Sequence, residues 1–300
     1  MTRAIHLDPG FIPLVYPEIE FKMIKFSGGE LHPKLNPKID YSNVEKVIIT
    51  QRVNNSDNLM SILVIADALK RIGVKSLDLI MPYIPYARQD RYDYVDNFGE
   101  SFTLDVFANI INSVGFETVT VLDAHSEVSL ALIKNVRNIN NTFYVDSSIK
   151  DIREMKENSE GIKPIWIISP DSGANKKSNK LMTALVQEQN VQSIGLVNCD
   201  KVRDIATGDL HGFKVFTKDL YKNDCLIVDD ICDGGGTFMG LAAELRKHNA
   251  GDLYLYVTHG IFSKDADIKL LDHFAKIYTT NSIKDSNISN IFIKQFKIEI

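Results

Sequence analysis

Cysteine is scarce in this chain and lacks the spacing of a disulfide framework or of a CxxC motif. Three cysteines, Cys199, Cys225 and Cys232, occur in 300 residues. Their odd number and wide spacing fit a reducing compartment better than an oxidising one. We therefore expect a cytoplasmic protein whose fold is not built on disulfide bonds.

The chain also lacks long hydrophobic runs and a strong excess of one charge. No uninterrupted apolar run approaches the ~18 residues typical of a membrane-spanning helix, and the N-terminus lacks the pattern of a signal peptide. The net charge of −5 argues weakly against a nucleic-acid binder, because any basic patch must be local. We expect neither a membrane nor a nucleic acid as a partner. The length and the 44% hydrophobic content suffice for two domains, each with a core.

The sequence CLIVDDICDGGGT combines a short apolar run with two adjacent acids and three consecutive glycines. The run Cys225 to Val228 has the pattern of a strand buried on both faces of a parallel sheet. Asp229 and Asp230 are then expected at its carboxyl end, where open α/β sheets bind ligands. The glycines after Asp233 permit close backbone approach, and Thr237 is expected to cap the helix that follows. Bare N–H groups at such a helix start form an anion cradle.

This loop fits a sugar phosphate better than a nucleotide. A Walker-type loop requires a lysine after its last glycine, and a dinucleotide fingerprint requires GxGxxG, which GGGTFMG fits poorly. Two carboxylates beside an anion cradle can accept hydrogen bonds from two vicinal hydroxyls while glycine amides hold a 5-phosphate. A glycine-rich turn that binds nothing is the alternative. Adjacent acids at a buried strand end disfavour it, because they need solvent, a cation or hydroxyls as partners.

Two polar stretches in the first half are candidate ligand-binding elements. In FSGGE, a turn at Gly28 and Gly29 precedes Glu30, and taken alone this pattern indicates only a hairpin. The stretch PYIPYARQDR follows the predicted strand Leu77 to Met81, and its prolines exclude regular structure throughout. Its arginines can grip a phosphate in bidentate fashion, and its glutamine has the donor and acceptor that a base edge requires. A solvated polar loop is the alternative.

Two further segments carry chemistry-bearing residues. Asp123-Ala124-His125 follows the predicted strand Thr118 to Leu122, and can hold a divalent cation or cap the next helix. The segment Asn198 to Gly212 has almost no apolar periodicity and contains Lys201 and Arg203. We expect a mobile lid that a ligand orders, the alternative being a solvated surface loop.

An internal sequence repeat predicts two similar α/β halves. A shift that brings position 66 onto position 242 superimposes the helical pattern Ala66 to Lys70 on Ala242 to Arg246. The same shift superimposes Leu77, Leu79 and Met81 on the apolar positions of a later strand pattern that begins at Leu253. Each copy is a helix, a short turn and a buried strand that ends in a polar loop, which indicates duplication of one unit.

Several motifs stand in the order in which the ribose-phosphate diphosphokinase family, the phosphoribosyl diphosphate (PRPP) synthetases, carries similar ones. VDDICDGGGT resembles the PRPP signature of that family and of the type I phosphoribosyltransferases, with Gly234 in place of a usual threonine. The other similar motifs are FSGGE, DNLMSILVIADALKR, PYIPYARQDR, Asp123-Ala124-His125, SPDSGANKK, CDKVR and VTHGIFS. The resemblance covers nearly the whole chain. It implies an α/β fold of two similar type I phosphoribosyltransferase-like domains, each a mainly parallel sheet flanked by helices.

The resemblance also implies an enzyme that transfers the diphosphoryl group of ATP to ribose 5-phosphate with the cofactor Mg²⁺. The residues implied to bind ATP are Phe26, Gly28, Gly29, Glu30, Arg88, Gln89, Asp90 and His125. Those implied to bind ribose 5-phosphate are Asp171, Arg203, Asp229, Asp230, Asp233, Gly234, Gly235, Gly236 and Thr237. Lys201 and Arg203 match the family's catalytic loop, and the implied metal ligands are His125 and Asp171.

The same resemblance implies domain limits and an assembly. An ATP-side domain covers residues 1–140, joined by the tail 284–300, and a ribose 5-phosphate-side domain covers residues 141–283. The FSGGE hairpin would serve the ATP site of a neighbouring subunit, so at least a homodimer is expected. Two other functions stay open, namely a non-catalytic regulatory homologue of PRPP synthetase and a phosphoribosyltransferase that uses PRPP.

Three departures from the family's pattern modify these expectations. Gly28 stands where the family usually has Asp or Asn, so adenine recognition there must rely on backbone groups. Residues 91–101 differ from the segment that supports hexamer formation and regulation in the commonest class. We therefore expect weak regulation by ADP and phosphate. The family's usual Lys-Arg-Arg is Lys201-Val202-Arg203 here.

Overall fold

The structure, a computed structural model, describes residues 1–92, 99–156, 163–203, 210–285 and 288–298. The side chains of residues 203, 210 and 211 also lie outside this description. The chain divides into two compact units, one of Met1–Ile139 with Gln295–Ile300 and one of Asn140–Lys294. Part of the segment 91–101 and the tip of the expected lid, residues 204–209, fall outside the described residues.

The first unit contains a five-stranded parallel sheet and a separate hairpin. The sheet order is β1-β4-β5-β6-β7, and all neighbouring strands are parallel. These strands are β1 Thr2–His6, β4 Lys46–Thr50, β5 Ser76–Ile80, β6 Thr118–Leu122 and β7 Val136–Ile139. The antiparallel hairpin consists of β2 Phe21–Lys25 and β3 Leu31–Leu35. The helices of this unit are α1 Ser56–Arg71, α2 Thr103–Val114 and α3 Glu127–Leu132.

Apolar periodicity explains how this unit packs. The α1 side chains Ile62, Ile65 and Leu69 recur at helical spacing and are buried in one core with Val47 and Leu79 of the sheet. Asn55 caps α1 by accepting a hydrogen bond from the Asn58 N–H, and Gly73 follows the helix with a φ of +98°. The apolar stripe therefore explains which face of this helix is buried, and the glycine explains where the helix ends.

The second unit contains a seven-stranded sheet in the order β10-β9-β8-β11-β12-β13-β14. Neighbouring strands are parallel except for the antiparallel pair β9 and β10. The strands are β8 Ile165–Ser169, β9 Ile194–Arg203, β10 Leu210–Val215, β11 Asp224–Cys232, β12 Leu253–Gly260, β13 Lys276–Thr280 and β14 Ile291–Lys294. The helices are α4 Thr142–Lys156, α5 Asn175–Gln187, α6 Gly236–Lys247 and α7 Ala266–Leu270.

The strands β8 and β11 form a topological switch point. They are neighbours in the sheet, but the chain leaves β8 through α5 to β9 on one side and leaves β11 through α6 to β12 on the other. Loops that depart in opposite directions open a crevice at the carboxyl ends of the two strands, where α/β sheets bind ligands.

The structure confirms the internal repeat. The two related patterns form α1 with β5 and α6 with β12, each a helix followed by a buried parallel strand. The predicted α/β class, with mainly parallel sheets flanked by helices, is correct.

The C-terminal tail differs from the expectation. Strand β14 lies inside the second unit, where its backbone pairs in parallel with β13 and forms the edge of that sheet. The tail that groups with the first unit therefore begins at Gln295, not at residue 284. There the Phe296 ring stacks on the Phe11 ring with centroids 6.1 Å apart, and the Ile298 N–H donates to the Pro13 carbonyl at 2.8 Å.

The described residues of the expected lid, Asn198 to Gly212, all lie in strands and not in a loop. Its first residues, up to Arg203, continue β9, and those from Leu210 onward begin β10. Cross-strand hydrogen bonds hold this hairpin, and they require no apolar periodicity from the side chains.

The three cysteines are buried free thiols. Burial raises the pKa of Cys199, Cys225 and Cys232 to about 12, so all three stay protonated at neutral pH. Among the described residues, no helix combines the length and the apolar character needed to span a bilayer.

Candidate active site

The carboxyl ends of β9, β8 and β11 bring together charged residues that are far apart in the sequence. Asp171 lies two residues beyond the end of β8, and Lys201 lies near the end of β9. The Lys201 Nζ lies 2.6 Å from the Asp171 Oδ2. Both side chains are only partly exposed, and such an ion pair is less screened than one at the surface. The structure thus places a predicted catalytic lysine beside a predicted ligand-binding acid.

The adjacent acids Asp229 and Asp230 lie inside the carboxyl half of β11 rather than after it. Hydrogen bonds to β8 end at Ile227, whereas pairing with β12 continues to Cys232. The strand is longer than its apolar run because one neighbour keeps its backbone paired. The Asp230 N–H donates to the Asp229 Oδ1 at 2.9 Å, which ties the two acids together.

Successive side chains of a strand point in opposite directions, and the two acids accordingly have different partners. Asp230 is buried and forms an ion pair with Lys177 of α5, whose Nζ lies 2.9 Å from its Oδ2. Asp229 interacts electrostatically with Asp171 and Lys201. Lys177 was not predicted as a site residue, although it ends the motif SPDSGANKK that contains Asp171.

Burial raises the pKa of Asp229 well above its ordinary value, and the negative charges of Asp230 and Asp171 raise it further. The hydrogen bond from the Asp230 N–H and the charge of Lys201 oppose this shift. Carboxylates held close together in a crevice are typical of a functional site, because a ligand that donates hydrogen bonds relieves their repulsion.

The glycine loop begins α6 without help from a side chain. Gly235 is the N-cap, with a φ of +75°, and no side chain of the described residues caps this end. The predicted cap Thr237 is wrong, because the helix already begins at Gly236 and Thr237 lies in its first turn. The first N–H groups of α6 are therefore not used by a side-chain cap, and anions bind favourably at such a helix start.

Space for a ligand exists beside this loop. Among the described residues other than the chain neighbours and the nearby helix backbone, a Cβ added to Gly236 would meet no atom within 4 Å. One added to Gly234 would meet only the Ser263 Oγ at 4.0 Å. The loop after β12 supports the turn, since the Ile261 N–H donates to the Cys232 carbonyl and the Ser263 N–H to that of Asp233. Anion-cradle geometry and vicinal acids thus occur at one strand end.

In the first unit, the predicted hairpin carries the FSGGE turn. The Phe26 ring is about half exposed at 53%, and the Gly29 φ of +94° requires a glycine at the turn. A Cβ at Gly28 would lie 2.6 Å from a carboxylate oxygen of Glu30. A side chain at position 28 would displace the Glu30 carboxylate from this place.

The other predicted ATP-binding residues follow two neighbouring strands of the first sheet. Arg88 and Gln89 are exposed in the loop after β5. In the same loop, the Asp90 Oδ1 lies 3.5 Å from the Arg91 Nε. His125 follows β6, and the preceding Ala124 N–H donates to the Asn138 side chain at 3.0 Å. The parallel strands β5 and β6 bring these two loops to the same edge of the sheet.

The metal prediction has partial chemical support. The two expected ligands lie in different units, His125 in the first and Asp171 in the second. In the described part of the chain, no three His, Cys, Asp or Glu side chains cluster as a metal site. Mg²⁺ commonly binds one or two protein carboxylates together with substrate phosphates and water, so the Asp171 carboxylate suits it better than the His125 ring nitrogen does.

Known proteins resemble this chain along most of its length. A family model described as the N-terminal domain of ribose phosphate pyrophosphokinase matches residues 14–115. The ribose-phosphate pyrophosphokinase of Shewanella oneidensis is 30% identical over 242 residues, which cover 81% of this chain and 71% of that protein. The chain belongs to the ribose-phosphate pyrophosphokinase family.

Other comparisons agree with this family. The ribose-phosphate pyrophosphokinase of Mycoplasma genitalium is 28% identical over 286 residues, covering 93% of this chain and 80% of that protein. The crystal structure of phosphoribosylpyrophosphate synthetase from Mycobacterium smegmatis matches with a TM-score of 0.74 at 21% identity, covering 93% of this chain and 86% of that chain. The former match supports the family and the latter the two-domain fold. The resemblance read from the motifs is confirmed.

Proposed function

We propose that this chain is a ribose-phosphate diphosphokinase, which transfers the β,γ-diphosphoryl group of ATP to the C1 hydroxyl of ribose 5-phosphate. The products are PRPP and AMP. Family membership supports this assignment, and the observation that carries it is the acid pair of β11 beside the open glycine loop. That arrangement offers acceptors for sugar hydroxyls next to donors for a phosphate.

The second unit binds ribose 5-phosphate in this proposal. Asp229 and Asp230 accept hydrogen bonds from the ribose hydroxyls, and the backbone of the glycine loop holds the 5-phosphate. The remaining sugar-site residues of the proposal are Asp171, Arg203, Asp233, Gly234, Gly235, Gly236 and Thr237.

The first unit binds ATP in this proposal. Arg88 supplies charge to the phosphates, and the exposed Phe26 ring offers a face on which the base stacks. The remaining ATP-site residues of the proposal are Gly28, Gly29, Glu30, Gln89, Asp90 and His125. The hairpin would complete the site of a second subunit, so we also propose at least a homodimer, which sedimentation analysis can test.

The chemistry requires stabilisation of negative charge. The C1 oxygen bonds to the β-phosphorus, the bond from that phosphorus to the bridging oxygen of AMP breaks, and the hydroxyl proton passes to water. Lys201 and Arg203 are proposed to stabilise the charge that develops on the phosphoryl oxygens. Asp171 and His125 would hold Mg²⁺, which would neutralise part of the triphosphate charge.

Substitution of the buried acid tests the proposed sugar site. Asp230→Ala removes a hydroxyl acceptor, so the KM for ribose 5-phosphate should rise, or turnover should cease, while the fold survives. Asp230→Asn retains the shape without the charge and serves as the gentler comparison. Steady-state rates of AMP and PRPP formation and circular dichroism measure these effects. Unchanged kinetics in Asp230→Ala would refute the sugar site.

A further inference from the structure

Lys177 contacts the acid pair from a neighbouring helix. It is the third residue of α5, and its Nζ lies 2.9 Å from the Asp230 Oδ2 of β11. The Asp230 side chain is only 8% exposed, whereas that of Lys177 is 40% exposed. An ion pair with one buried carboxylate differs from an ordinary surface pair, because removal of the cation takes a charge partner away from a buried carboxylate.

The two lysines of the site interact with different acids. Lys201 of β9 pairs with Asp171 at 2.6 Å, and Lys177 pairs with Asp230 at 2.9 Å. The carboxylates of Asp229 and Asp230 repel each other, and the cation at Lys177 offsets this repulsion on the α5 side of the strand.

We propose that Lys177 is a positioning residue for ribose 5-phosphate, acting through Asp230. This inference rests on the proposed role of the β11 acids as acceptors of ribose hydroxyls. The ammonium fixes the orientation of the Asp230 carboxylate beside Asp229. A carboxylate fixed in this way accepts a hydrogen bond from a sugar hydroxyl without first rotating, and preorganisation of this kind lowers the cost of binding.

Two substitutions and a neighbouring control test this role. Lys177→Met removes the charge and keeps much of the side-chain volume, whereas Lys177→Arg keeps the charge and the donors. Lys176→Met removes the charge of the exposed adjacent lysine and is the matched control. Calorimetry of ribose 5-phosphate binding, steady-state kinetics and thermal melts are measured for each variant.

The expected result is selective for the sugar. Lys177→Met should weaken binding of ribose 5-phosphate by about 10- to 100-fold, the range found when a partner that orients a metal-binding side chain is removed. The KM for ATP should stay unchanged. Lys177→Arg should restore most of the affinity, and Lys176→Met should bind like the parent protein.

A double-substitution cycle shows whether Lys177 acts through Asp230. In the Asp230→Asn background, Lys177→Met should have little further effect on sugar binding, because the carboxylate that it orients is gone. This double variant also removes both charges, so it should remain folded where Lys177→Met alone proves unstable.

The possible outcomes distinguish failure of the proposed sugar site from failure of the proposed role of Lys177. If the parent protein binds no ribose 5-phosphate, or if Asp230→Asn binds it normally, the proposed sugar site fails. If Asp230→Asn weakens binding and Lys177→Met does not, only the role of Lys177 is overturned. Full additivity of the two substitutions would also overturn it, because it would show that Lys177 acts independently of Asp230.

Discussion

Lys201 illustrates at the residue scale how the site can favour the transition state. Its ammonium is held near Asp171 at the end of β9, close to where the proposal puts the reacting phosphates. Lys201→Ala should therefore lower kcat by about 10²- to 10³-fold, equivalent to the ~3–4 kcal/mol lost when one preorganised charge contact is removed. Binding of ATP and ribose 5-phosphate should change little.

Separate measurement of kcat and the two substrate dissociation constants checks this prediction. Lys218→Ala, which removes an exposed lysine elsewhere in the same unit, is the control. A rise in KM without a fall in kcat would instead make Lys201 a binder of ground-state phosphate.

Asp229 should make the stability of the chain depend on pH. Because its pKa is raised in the folded state, that state keeps a proton that the unfolded chain releases above its ordinary carboxyl pKa. Stability is therefore highest below that ordinary pKa and is lost as the pH rises towards the raised one. Asp229→Asn has no proton to release, so it should be more stable than the parent at pH 7, with a melting temperature higher by about 2–4 °C for each kcal/mol gained.

Thermal melts of both proteins across the acidic range measure this difference. The advantage of Asp229→Asn should shrink as the pH falls towards the ordinary carboxyl pKa. An advantage that is independent of pH, or a less stable variant at pH 7, would contradict the raised pKa.

Residue types and their order predicted the buried strand and the glycine loop that carry the candidate site, but contacts between elements were not predictable. The apolar run before Asp229 indicated a buried strand, and its acids and glycines indicated a sugar phosphate. Lys177 was missed because its contact with Asp230 depends on how α5 packs beside β11, which no local pattern reveals. The cap at Thr237 was wrong because glycine can adopt the left-handed torsion that begins α6 one residue earlier.

At the scale of elements, the last two of the three loop glycines should have separable roles. Gly235 has a φ of +75°, and an added Cβ would lie 3.2 Å from the Leu270 side chain. Gly235→Ala should therefore destabilise the fold by about 1–2 kcal/mol, the cost of a left-handed torsion for an ordinary residue. The Cβ of Gly236→Ala would lie more than 4 Å from all described residues other than its chain neighbours and the nearby helix backbone, so this substitution should preserve stability and weaken ribose 5-phosphate binding by entering the proposed cradle.

Chemical denaturation and calorimetry of sugar phosphate binding distinguish the two variants. Equal loss of stability in both would show that the loop torsion does not determine the difference. Normal binding by Gly236→Ala would remove the phosphate from this loop.

Regular elements were predicted best where burial imposes a pattern. Helix α1 and strand β5 have continuous apolar faces, and the patterns Ala66 to Lys70 and Leu77 to Met81 lie in or overlap these two elements. The β9–β10 hairpin was taken for a loop because its exposed end is stabilised by backbone pairing, which leaves no apolar signature.

At the scale of the whole molecule, duplication was visible in the sequence, whereas the place of the C-terminal tail was not. The repeated helix-strand patterns of α1–β5 and α6–β12 predicted two similar halves, and the two mainly parallel sheets agree with this prediction. The return of the chain to the first unit at Gln295 could not be predicted. A local sequence pattern can identify a strand but does not show which sheet receives it.

Diphosphoryl transfer to the C1 hydroxyl of ribose 5-phosphate can be tested by ³¹P NMR with purified chain, ATP, Mg²⁺ and ribose 5-phosphate labelled with ¹⁸O at C1. AMP and PRPP should form in equal amounts, with the label between C1 and the β-phosphorus of PRPP and none in AMP. Formation of ADP in place of AMP, or the absence of PRPP from a folded preparation that binds both substrates, would contradict it.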